Sequence, residues 1–151
     1  MDPIDQTRLS MCSINEAFSN AGLLALCKRI IASGILGRSK HYSALLEYLI
    51  QCSLSGKYPK EIELAVEVLG RGEDFDVSAD STVRVYVHQL RKKLNSYYES
   101  YELDAAYRIV IPKGQYTIAA QVKGHLESIN SGSKATKYFF NVNTGLLALA
   151  I

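Results

Sequence analysis

Residues 81–98, STVRVYVHQLRKKLNSYY, constrain the fold more than any other stretch, because one helix here carries two different faces. At a helical period Val83, Val87, Leu90, Leu94 and Tyr97 form an apolar seam, while Arg84, His88, Arg91, Lys92 and Asn95 gather on the other side. The seam predicts burial in a core. The other face holds cations and hydrogen-bonding groups with no carboxylate among them, whereas a merely solvated surface mixes signs. A partner of negative charge is therefore expected. Asp80 reads as the N-cap of this helix, with Ser81 and Thr82 in its first turn.

Downstream, YRIVI and QYTIAAQ flank Pro112, Lys113 and Gly114, two β-branched and aromatic runs around a turn, which predicts a hairpin. Upstream, residues 14–35 predict a first helix, broken at residues 20–22, with apolar positions at Ile14, Phe18, Leu23, Leu26, Cys27, Ile30 and Ile31. Residues 41–54 give a clear helical stripe (Tyr42, Leu45, Leu46, Leu49, Ile50, Leu54) closed by Ser55 and Gly56. Pro59 suits the first turn of a short helix that has Glu61 and Glu63 near its positive end and stops at Gly70.

A chain of 151 residues with 48% hydrophobic composition supports one domain with tails rather than two domains. The formal charge of +2, from 17 basic and 15 acidic residues, says little about partners by itself. Its distribution says more: Glu61, Glu63, Glu67, Glu73, Asp74, Asp76 and Asp80 precede the basic helix, whereas Arg84, Arg91, Lys92, Lys93, Arg108 and Lys113 dominate from it to the hairpin. Cys12, Cys27 and Cys52 are odd in number and far apart, so they fit core positions in a reducing compartment better than a disulfide framework or a zinc site. The opening residues lack a basic region leading into an apolar run, and cytoplasmic placement is the expectation for residues up to Val122.

No catalytic, cofactor or metal site is expected. His88 has no carboxylate or serine partner placed by the sequence, His41 and His125 read as surface residues, and neither Gly70-x-Gly72 nor GSKAT has phosphate-loop spacing.

Helix, loop, basic helix and hairpin follow in the order of a winged helix-turn-helix. The segments RIIAS, LLEYLI, KEIELAVEVLGR, DFD, DSTVRV, LRKKLNSYY and RIVIPKGQY resemble the OmpR-type winged-helix DNA-binding domain, in the bacterial variant found at the N-termini of larger multidomain proteins. The resemblance covers residues 29–118. It implies a mainly α domain with a small β-hairpin wing, built as a three-helix core plus an extra N-terminal helix. Residues 60–69 become the positioning helix, 70–79 the loop, 80–98 the recognition helix and 107–118 the wing. Matched position by position, it places Ser81, Val85, His88, Gln89 and Arg91 in the major groove and Arg84 and Lys92 against phosphate. Lys113, Gln115 and Tyr116 fall on the neighbouring backbone or the minor groove.

The implied function is double-stranded DNA binding by the module of a bacterial transcriptional regulator. The partners left open are a homodimer or tandem copies on DNA, and RNA polymerase. The chain departs from the family where His88 and Gln89 stand in place of arginines and Ser81 in place of proline. Those departures, with the acidic segment, keep a second class in view, a degenerate winged helix that binds another protein.

The domain organisation expected is a tail (1–13), the winged-helix domain (14–122), a polar linker (123–137) and an apolar tail (138–151). That last segment, YFFNVNTGLLALAI, is shorter than the roughly 18 residues a membrane helix requires. It reads either as a tail beside the domain or as the first turns of an inner-membrane helix flanked by Lys134 and Lys137, an arrangement found in families the chain resembles.

Overall fold

The computed structural model describes residues 11–122, a mixed α+β fold of five helices and a three-stranded antiparallel sheet. In chain order these are β1 (Met11–Cys12), α1 (Ile14–Ala17), α2 (Asn20–Ala32), α3 (Lys40–Leu54), α4 (Glu61–Glu67), α5 (Thr82–Tyr101), β2 (Tyr107–Val110) and β3 (Ala119–Val122). The expected linker and apolar tail lie outside the described residues, as do residues 1–10.

The first helix is interrupted earlier than expected. Ser13 N–H donates to the Glu16 carboxylate at 3.1 Å to start one turn, which ends where Phe18 goes extended. Ser19 Oγ then accepts from Gly22 N–H at 3.0 Å and starts α2. The break falls at Phe18 and Ser19 because a serine cap satisfies a free N–H there, and Gly22 brings its backbone up to that hydroxyl. Leu23, Leu26, Cys27 and Ile30 of α2 are buried, as are Leu45, Leu46, Leu49, Ile50 and Cys52 of α3.

The proline expected in the first turn of α4 lies outside it. Lys60 is the N-cap, extended, with its N–H donating to Glu63 Oε2 at 3.3 Å, so Pro59 precedes the cap and is buried. The helix unwinds after Glu67, and Gly70 turns the chain at φ 64°, a left-handed conformation that side chains resist. In the loop that follows, the Asp76 carboxylate accepts from Ser78 N–H at 2.9 Å and from Ser78 Oγ at 2.6 Å. Asp80 accepts from Thr82 N–H at 2.8 Å and from the Thr82 hydroxyl. The cap position of α5 is thus Ser81, one residue later than expected, while the capping carboxylate is that of Asp80.

The seam of α5 is buried along its whole length: Val83, Val87, Leu90, Leu94 and Tyr97, joined by Tyr98. It packs on α3, α4 and β2 in one core that also takes in Ile109, Ile111, Ile118 and Ala120. The helix runs to Tyr101, beyond the expected end at residue 98.

Strands β2 and β3 pair from Tyr107 with Val122 to Val110 with Ala119. They are shorter than the apolar runs suggested. Gln115 N–H folds back to Pro112 O at 3.1 Å, Tyr116 donates to Glu61 and Ile118 N–H donates to Ser53 Oγ, so residues 115–118 bond to the turn, α4 and α3 instead of extending the ladder. The sheet also has a third strand in the stretch read as a tail. Met11 pairs with Gln121 and Cys12 with Ala120, giving the order β1-β3-β2.

Candidate nucleic-acid interface

The surface that could meet an acidic polymer is made by α5 and the hairpin. With the seam buried, the helical period forces Ser81, Arg84, Val85, His88, Lys92 and Asn95 to the outside, and all six are exposed. Val85 is the apolar member, half exposed at 52%. Gln89 is half-buried at the margin of this face. Asp80 stands at the start of α5, but its carboxylate is engaged by Thr82, which holds it below the usual carboxylate range.

Arg91 points elsewhere. Its Nε donates to Ile111 O at 2.8 Å, and one terminal nitrogen donates to Pro112 O at 2.9 Å and Gln115 O at 3.3 Å. The planar fork thus gathers three carbonyls of the hairpin connection, geometry that a guanidinium can satisfy and an ammonium cannot. Burial lowers its affinity for a proton, although a guanidinium stays charged at any physiological pH. The residue expected in the groove is a clamp between α5 and the hairpin.

Lys113 and Gln115 are exposed at the tip, where Gly114 turns the chain at φ 75°. Tyr116 faces inward. Its hydroxyl donates to Glu61 Oε2 at 2.8 Å, and burial together with that bond pushes the phenol up to about 12. The other oxygen of Glu61 is 3.5 Å from Arg84, whose NH1 also donates to Val77 O at 3.2 Å. Lys93, on the far flank, lies over the Tyr42 ring at 4.9 Å, with Nζ 3.5 Å from Ile35 O.

Two features of this surface escaped sequence reasoning. Glu61 reads in the sequence as the positive end of a short helix and as part of the acidic segment, yet it joins α4, α5 and the hairpin. The signal for Tyr116 was present: in a run read as a strand it falls two residues before Ile118, which is buried, the spacing at which strand side chains share a side. Four of the seven acids in the segment before α5 are also engaged. Glu61 bonds Tyr116, Glu63 pairs with Lys57 at 3.4 Å, and Asp76 and Asp80 cap local turns.

Among the described residues no helix is long and apolar enough to cross a membrane. In comparisons with protein-family models, curated proteins and solved structures, nothing matches this chain.

Proposed function

We propose that this chain is a double-stranded DNA-binding module, a winged helix-turn-helix in which α5 lies in the major groove and the hairpin is the wing. The observation that carries this reading is the exposed face of α5 from Ser81 to Asn95, free of carboxylates and clamped through Arg91 to a hairpin tipped by Lys113. In this reading His88 and Gln89 meet base edges and Val85 meets a thymine methyl. Lys92, Lys113 and the exposed part of Arg84 meet phosphate. Arg91, proposed from sequence as a base reader, acts instead by holding the wing in place.

Selection of bound duplex from a random pool tests the proposal directly. Enrichment of a common sequence, with log K falling by about 0.9 per phosphate contact against log salt, is expected. Absence of enrichment together with a flat salt response would end this reading.

A second reading, docking of another protein, draws on Tyr101 and Leu103 at and just after the C-terminal end of α5, each 58% exposed. A protein docked there would be retained at high salt, because apolar burial is not screened.

A further inference from the structure

We infer that Glu61 is a positioning residue that sets the orientation of Arg84 and ties the wing to the exposed face of α5. The inference rests on the DNA-binding reading and deepens it. Glu61 sits in the first turn of α4, and its side chain is only 12% exposed against 45% for Arg84. Its two oxygens serve two different elements. Oε2 accepts from Tyr116 on the hairpin at 2.8 Å, and Oε1 is 3.5 Å from Arg84 NH1 on α5.

Oε1 is buried and accepts no hydrogen bond. A buried carboxylate oxygen in that state depends on its ion-pair partner, since an uncompensated charge away from water is strongly destabilising. NH1 of Arg84 is therefore drawn inward, between Glu61 and Val77 O, while the rest of the guanidinium stands beside the exposed α5 face. The direction in which Arg84 can approach a phosphate is thus set before DNA arrives, which lowers the ordering cost of binding. Because the same carboxylate holds Tyr116, a shift of the hairpin and a shift of Arg84 are coupled events.

The test uses the full chain and the variants Glu61→Gln, Arg84→Gln, their double and Tyr116→Phe. Each is titrated with a duplex selected by the parent and with random duplex, and backbone amide exchange of residues 115–118 is followed without DNA. Glu61→Gln should weaken selected and random duplex alike by about three- to tenfold, since Arg84 and the wing meet phosphate, and should lose less in the Arg84→Gln background than in the parent. Tyr116→Phe, which removes one hydroxyl, should lower affinity for both duplexes in the same way. Both should speed exchange at residues 115–118.

Parental affinity and unchanged exchange in Glu61→Gln would overturn the inference, as would fully additive losses in the double variant. If the parent itself selects no DNA, the proposed function falls separately. Exchange then decides alone: faster exchange upholds the tie between Glu61 and the wing, and unchanged exchange overturns it.

Discussion

The hydroxyl of Tyr98 accepts the backbone N–H of Ile109 at 2.8 Å, so a side chain near the end of α5 completes the hydrogen bonding of a strand. Tyr98 is 1% exposed and Ile109 is fully buried, leaving water no access to that N–H. Tyr98→Phe keeps the ring and orphans the donor. It should cost about 1–3 kcal/mol, read as a lower urea midpoint at constant slope. An unchanged midpoint would mean that the strand finds another acceptor.

Arg91→Ala should lose stability and DNA affinity together. Removing the fork leaves the carbonyls of Ile111, Pro112 and Gln115 without their common donor, at a cost of about 1–3 kcal/mol. Arg91→Lys should recover only part of this, because one ammonium cannot reproduce a planar fork. Affinity should fall about evenly across duplex sequences. Relaxed preference at a single base position, with parental stability, would return Arg91 to the groove.

Lys113→Ala should leave stability alone and make the salt dependence of binding shallower by about 0.9 in slope, one phosphate contact. Base preference should persist, since a phosphate carries no base identity. Competition between selected and random duplex is the measurement; collapse of discrimination at constant random-duplex affinity would show that the tip reads bases.

The pH dependence of stability carries a signature of Asp80. Hydrogen bonds from Thr82 hold its carboxyl below the ordinary range in the folded state, so the folded chain binds this proton less readily than the unfolded one. The resulting stabilisation is present above the unfolded value of about 3.9 and is lost as pH falls through the lowered folded value. The advantage of the parent over Asp80→Asn should therefore be full near neutrality and shrink as the solution is acidified through that window. Asp76, lowered in the same direction, is common to both proteins and cancels. Urea midpoints measured in parallel across the acid range check this, and a gap independent of pH would assign the difference to shape rather than charge.

The helices were legible in the sequence because their seams recur at a fixed period: Val83, Val87, Leu90 and Leu94 can share a buried face only as a helix. Stops were legible where a glycine takes a left-handed turn, as at Gly56 and Gly70. The cationic face of α5 was legible in composition but not in employment. Arg91 finds its acceptors on Ile111, Pro112 and Gln115, and Tyr116 reaches back to Glu61. Such pairs depend on how the hairpin lands on the helices, which no local period encodes. Strand β1 was invisible for a simpler reason: two residues display no alternation, and their place is set by the free edge of β3.

That short strand determines how the domain responds to tension. Met11 lies opposite Gln121 in an antiparallel pair, so the points where chain enters and leaves the described fold are neighbours. A pull applied through both would peel β1 from β3 one bond at a time, as a zipper opens, rather than load their bonds together in shear. In an optical trap the first event should come at low force and release only the edge strand, with α5, its seam and the Arg91 clamp still assembled.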